Sequence, residues 1–183
     1  YCPERVNHEV SGKIITPIKD SYGGLIALST RHPDKNCSYR FWHESFDKRT
    51  SLFAIDMAKE SILEAGKAIV VEGEFDTCAL HSAGLNITVG VCGSNLTLYQ
   101  ISLIVRYCSE VYLMFDSDEA GKKAIDRTMA IYEENNISNF GIDFIPVKLP
   151  SNLDPDDFLF KVGRAGVIEK LKESKKKFLT KKG

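Results

Sequence analysis

Beyond residue 66 the sequence alternates short, nearly unbroken apolar runs of β-forming residues with stretches of helical periodicity, and this rhythm leaves few folds open. The apolar runs are Ala68-Ile69-Val70-Val71, Ile87-Thr88-Val89-Gly90-Val91, Val111-Tyr112-Leu113-Met114-Phe115 and Ile142-Asp143-Phe144-Ile145. Between them lie Phe75 to Ala83, Leu96 to Tyr107 and Ala120 to Glu134, the last with Ala124, Ile125, Thr128 and Ile131 on one face. A run of apolar residues without polar alternation belongs to a strand covered on both faces. Strands separated by single helices are joined by right-handed crossovers and lie parallel. The spacing therefore predicts an α/β unit over residues 66–163, a mostly parallel sheet flanked by helices. A chain of 183 residues with 43% apolar content can bury such a core without staples.

The upstream third reads differently. Lys13 to Ile18 and Leu25 to Thr30 are β-rich, and Lys19-Asp20-Ser21-Tyr22-Gly23-Gly24 between them is turn chemistry, so a small N-terminal subdomain (1–65) is expected to contain a β-hairpin. Residues 32–50 read as loop with short strand pieces. From Ser51 to Ala65, Leu52, Ile55, Ala58, Ile62 and Leu63 recur at helical spacing, and Gly66 is placed to end that helix. Residues 164–183 form a basic tail, helical or frayed. No apolar run approaches the ~18 residues of a membrane span, and the N-terminus lacks the features of a signal peptide, so the expected setting is cytoplasmic with no membrane partner. The five cysteines, Cys2, Cys37, Cys78, Cys92 and Cys108, have no close pairing and read as thiols of a reducing compartment. A start at Tyr1 instead of methionine is expected of a piece of a longer polypeptide.

In an open parallel sheet, ligands bind beyond the carboxyl ends of the strands, and the acids of this chain concentrate there. The first run leads into Glu72-Gly73-Glu74-Phe75-Asp76, the third into Asp116-Ser117-Asp118-Glu119-Ala120-Gly121, and the region after the fourth holds Asp154-Pro155-Asp156-Asp157. Residues 61–160 carry 15 Asp and Glu against 6 Lys and Arg, while residues 161–183 carry 2 against 9. An acidic concentration of this kind is relieved by a cation, by basic neighbours or by solvent. All-oxygen ligand sets select hard ions, and a few carboxylates with open positions suit Mg²⁺ or Mn²⁺ bridging to phosphate oxygens. Taken singly, each cluster also reads as a helix cap or a turn. Together, at successive strand exits, they read as a metal site.

The three motifs EGEFD, DSDEAG and DPDDF resemble those of the toprim domain shared by DnaG-type primases, topoisomerases and some nucleases, and the third leans toward the primases. The upstream half does so too. Gly12 to Arg31 (GKIITPIKDSYGGLIALSTR) looks like the primase segment that precedes toprim, Ser45 to Lys59 (SFDKRTSLFAIDMAK) is similar to the phenylalanine, lysine and helix that follow it, and Ile87 to Leu103 carries Gly93-Ser94 where the family has Gly-Thr. The resemblance covers residues 12 to 163 and implies a toprim-type sheet. It implies Glu72 as catalytic acid or metal ligand, with Asp76, Asp116, Asp118, Asp154 and Asp156 around Mg²⁺ (or Mn²⁺). Asp116, Asp118 and Lys48 would share the catalytic role with Glu72, and Lys48 and Arg31 would face nucleotide phosphates or template. Tyr39 and Arg40 fall where primases carry a KYLNS-type stretch, of which this chain keeps the tyrosine. The aromatics of Tyr39-Arg40-Phe41-Trp42-His43 either stack unpaired bases or plug the space beneath the hairpin. The basic tail either touches nucleic-acid backbone or is solvated.

The resemblance thus implies a DNA primase catalytic core, a nucleotidyltransferase making short RNA primers by two-metal chemistry. Its partners would be a single-stranded DNA template, nucleoside triphosphates and, through parts outside this chain, a replicative helicase. A toprim nuclease and a non-catalytic DNA-binding primase-like module are the alternatives.

Overall fold

Two sheets organise the chain. The computed structural model describes residues 12–34, 41–93 and 95–182, with the backbone alone for Phe41–His43. The smaller sheet is an antiparallel meander of β1 (Ile14–Lys19), β2 (Leu25–Arg31) and β3 (Phe41–His43). Its hairpin turn follows from Asp20, whose Oδ1 accepts the N–H groups of Tyr22 at 2.8 Å and Gly24 at 2.9 Å, while Gly23 takes φ +88°. This is the local hydrogen bonding that makes Asp and Gly turn residues.

The larger sheet contains β4 (Lys67–Val71), β5 (Thr88–Gly90), β6 (Glu110–Leu113) and β7 (Asp143–Pro146), all parallel in the order β5-β4-β6-β7. Around it lie α1 (Ile55–Ala65), α2 (Glu74–Ser82), α3 (Leu98–Ile104), α4 (Glu119–Glu134) and α5 (Pro155–Lys182). Strand periodicity divides the core. Ala68 and Val70 face a cluster with Ile55, Ala58 and Ile62 of α1, Ile101 and Ile104 of α3, and Ala124 and Tyr132 of α4. Ile69 and Val71 face the other layer, with Leu80 of α2 and Phe158, Val167 and Leu171 of α5. Each fully buried branched side chain contributes about 1.5–3 kcal/mol, so unbroken apolar strands are what a sheet with two covered faces requires. Among the described residues no helix is long and apolar enough to cross a membrane.

Two helices depart from the periodicity. The helix expected from Ser51 begins at Ile55, because Phe53 pairs with Gly90 at the free edge of β5 (N–H to O, 2.8 and 3.1 Å) and Ala54 takes a left-handed conformation at φ 64°. Phe53 thereby makes a single antiparallel bridge to the edge of the large sheet, and a third cluster of Ile18, Ala27, Phe53, Ala54 and Cys92 seals the hairpin against it. At the other end the backbone breaks at Gly163 (φ 66°) and then stays helical to Lys182, with Val167 and Leu171 anchoring the basic tail on the sheet.

Candidate active site

The strand order creates the site. From β4 the chain crosses by α2 to β5 on one side, and from β6 it crosses by α4 to β7 on the other, so the loops leaving β4 and β6 diverge. A crevice opens at such a switch point. Glu72 stands directly after β4, and Asp116 follows β6 by way of Met114 and Phe115. The two loops are locked together: the Asp116 N–H donates to Glu72 Oε1 at 3.2 Å. Gly121 permits this approach, since a Cβ there would lie closer than 3.0 Å to the Asp116 carbonyl oxygen and 2.9 Å from Glu72 Oε1.

The third acidic segment is pinned to the second. Ser117 N–H donates to the Leu153 carbonyl at 3.1 Å, and Leu153 N–H donates to Ser117 Oγ at 2.9 Å, a reciprocal pair that draws 153–157 alongside the DSD turn. From there Asp156 N–H reaches Asp76 Oδ1 at 3.4 Å, near the start of α2. Asp118 and Asp154 cap α4 and α5: Asp118 Oδ1 accepts the Gly121 N–H at 2.8 Å and Asp154 Oδ1 the Asp157 N–H at 2.7 Å. Each cap uses one carboxylate oxygen, so capping and cation binding are compatible at both residues.

The charges register the proximity. Burial pushes the Glu72 carboxyl up to about 7, and the Asp116 and Asp118 carboxylates push the same way against the stabilising Asp116 N–H. Asp76 rises to about 7, through burial first and then Asp154, Asp116 and Asp156. Asp116 rises to about 6, through burial and then Asp154 and Asp118. Asp156 is raised by burial and its acidic neighbours, and Arg31 opposes that rise. Asp116 Oδ1 is moreover buried with no hydrogen-bond partner, a costly state for a carboxylate oxygen unless a cation meets it.

Among the described residues, no three of these side chains close on one point at metal-ligand geometry. The carboxylates form an open arc, near enough to repel and too spread to be a cage. An open oxygen-only arc with an unmatched buried oxygen fits a hard cation that keeps water and takes the remaining oxygens from phosphate, as Mg²⁺ does; it does not fit a closed calcium cage.

Two of the expected cations reach this edge. Arg31, at the end of β2, places its guanidinium carbon 4.3 Å from the centroid of the Phe75 ring, and its charge is felt by Asp156. Lys48 begins a 3₁₀ turn capped by Asp47, and its charge is felt at Cys92, just past β5. Tyr39 and Arg40 lie outside the described residues, as does the choice between stacking and plugging for the aromatic stretch. The reading from residues alone had no place for Phe75 as the seat of Arg31, nor for the Ser117–Leu153 pair. It also passed over Gln100, although Thr97-x-x-Gln100 carries a capping-box spacing.

Comparison with known proteins agrees with this geometry. A family model described as Toprim-like matches residues 69–159. A DNA primase of Aquifex aeolicus (strain VF5) is 35% identical over 156 residues, 83% of this chain and 30% of the relative. The crystal structure of the Aquifex aeolicus primase, comprising its zinc-binding and RNA polymerase domains, superposes with a TM-score of 0.80 at 30% identity, covering 95% of this chain and 43% of that one. A DnaG primase catalytic domain solved with single-stranded DNA shares the fold, with a TM-score of 0.79 at 24% identity over 89% of this chain and 52% of that one. The chain thus spans less than a third of that curated relative and about half of the solved structures.

Proposed function

This chain belongs to the DnaG-type primases and carries their toprim core, and from that premise we propose that it catalyses synthesis of short RNA primers on a single-stranded DNA template. The reaction is attack of a 3′-hydroxyl on the α-phosphate of a nucleoside triphosphate, with release of pyrophosphate. The observation that carries the reading is the gathering of carboxylates from three loops around a switch-point crevice, with Asp116 Oδ1 buried and unmatched.

Glu72, Asp76, Asp116, Asp118, Asp154 and Asp156 would hold Mg²⁺ or Mn²⁺. When bound, such ions activate the attacking hydroxyl and relieve charge on the triphosphate. The chain's own residues supply position. Glu72 is fixed by the Asp116 N–H and Asp76 by the Asp156 N–H, so neither carboxylate has to reorganise when substrate arrives. Arg31, seated on the Phe75 ring with its charge felt at Asp156, would offset negative charge on substrate phosphate at this edge. Lys48 offsets charge on the phosphates from the β5 side. Tyr39 and Arg40, by the family resemblance, would meet nucleotide or template. A replicative helicase is met through parts outside this chain, and the setting is cytoplasmic.

The test is primer synthesis on single-stranded DNA with nucleoside triphosphates and Mg²⁺ for Glu72→Gln and Asp116→Asn. Loss of one preorganised electrostatic group is expected to lower the rate at least ~100-fold in each. Full activity in both variants overturns the proposal. Cleavage of the DNA without nucleotides is the outcome expected of a toprim nuclease instead.

A further inference from the structure

Helix α3 opens with a capping box in which Thr97 Oγ accepts the Gln100 N–H at 3.2 Å and Gln100 Oε1 accepts the Thr97 N–H at 2.9 Å. A cap needs only that oxygen of the glutamine. The amide nitrogen does something else. Gln100 is 1% exposed, and the two hydrogens of its Nε2 are shared among the carbonyls of Ser51 at 2.7 Å, Lys48 at 2.9 Å and Val91 at 3.1 Å. Beside it, Thr97 Oγ donates to the Arg49 carbonyl at 2.7 Å. Two adjacent side chains of α3 therefore read the backbone of the 48–51 turn at three of its four carbonyls. The same amide holds Val91, at the exit of β5. The turn carries Lys48 and precedes α1, whereas Val91 follows β5 of the large sheet; Gln100 joins the two at a point where Ser51 and Val91 are both buried.

We propose that Gln100 is a positioning residue for nucleotide binding: by gripping the Lys48 and Ser51 carbonyls it holds the Lys48 ammonium at the strand-exit edge where the triphosphate is received. The inference rests on the reading that Lys48 meets substrate phosphate. A long, flexible lysine gains specificity only if its main-chain origin is fixed, and among the described residues the side-chain hydrogen bonds of Arg49 and Thr50 stay within the turn, to Asp47. A displacement of about 1 Å at such an anchor can lower binding or turnover by up to ~100-fold.

The experiment measures the Kd of ATP, with Mn²⁺ present, for the wild-type chain, Gln100→Met, Lys48→Ala and the double variant, with Mn²⁺ binding alone and thermal melting measured in parallel. Gln100→Met is expected to weaken ATP binding about tenfold, to leave Mn²⁺ binding unchanged, and to have no further effect in the Lys48→Ala background. That last result separates positioning from general core support, because a structural loss would weaken the double variant again. If Gln100→Met does not fold, Thr97→Val, which removes the hydroxyl that donates to Arg49 and caps α3 but keeps the Gln100 amide, is expected to show the same coupling with a smaller loss. Unchanged ATP affinity in Gln100→Met, or losses that multiply in the double variant, overturn the inference while leaving primer synthesis untouched. A wild-type chain that binds no ATP, or Lys48→Ala that binds it normally, defeats the underlying reading of Lys48 and the inference with it.

Discussion

Gly121→Ala adds one methyl group where the two acidic loops cross. Its Cβ would sit closer than 3.0 Å to the Asp116 carbonyl oxygen and 2.9 Å from Glu72 Oε1, neither of which yields easily, the first being backbone and the second already hydrogen-bonded to the Asp116 N–H. Overpacking of this kind costs about 1–3 kcal/mol. Moving the helix start to relieve it stretches the 2.8 Å bond from Gly121 N–H to Asp118 Oδ1, a cap worth ~1 kcal/mol. Alanine returns up to ~1 kcal/mol through its helix propensity. The balance is a destabilisation of about 1–3 kcal/mol, and at about 2–4 °C per kcal/mol for a chain of this size the midpoint falls by ~2–12 °C. Because the intruding methyl displaces Glu72 from Asp116, Mn²⁺ affinity falls together with stability. Thermal denaturation with and without Mn²⁺ reads both effects. A variant that melts at or above the wild-type temperature and binds Mn²⁺ normally refutes the close packing on which the site's geometry depends.

Two further outcomes follow from the same loops. Ser117→Ala removes the acceptor for the Leu153 N–H and frees the 153–157 segment; a loss of about 1 kcal/mol in urea unfolding is expected, with a higher Mg²⁺ requirement for primer synthesis, and an unchanged Mg²⁺ requirement counts against the latch. The raised carboxyls of Glu72 and Asp76 set a pH dependence with a definite sign. Unfolded, these groups titrate near 4.5 and 3.8; folded, both titrate near 7. Between those values the unfolded chain holds fewer protons, so the stability of the metal-free protein falls as pH rises from about 4 to about 7 and the penalty is fully present above that. Protons compete with Mg²⁺ for these carboxylates, so one fixed Mg²⁺ concentration, a hundredfold above its Kd at pH 8, stabilises by ~2.7 kcal/mol there and by less at pH 5.5, where the Mg²⁺-induced rise in melting temperature is smaller. An equal rise at both pH values contradicts the electrostatic account.

The parallel sheet was legible because its strands are apolar on both faces, a pattern that depends only on local residue order, and because Glu72 and Asp116 lie within three residues of those strands. Other features depend on contacts between distant segments. The delayed start of α1 comes from Phe53 pairing with Gly90, and the continuation of the tail as helix comes from Val167 and Leu171 meeting the sheet, against a local background of lysines and a glycine that argues for fraying. The acids could be read as caps or as ligands from their spacing. The structure shows Asp118 and Asp154 serving as caps while standing in the same electrostatic arc as Asp116, so the two readings were never exclusive. What held the arc together, Ser117 against Leu153 and the Asp116 N–H against Glu72, involves backbone groups that every residue carries, and residue identities give no signal for them.

A titration of Mn²⁺ followed by electron paramagnetic resonance, on the wild-type chain and on Glu72→Gln, Asp116→Asn and Asp154→Asn, reads most directly whether the three loops share a cation centre. The expected result is that each substitution, in a different loop, weakens the binding of the same ion by about tenfold or more. Wild-type affinity in all three variants would show that these carboxylates are neighbours without a common ion.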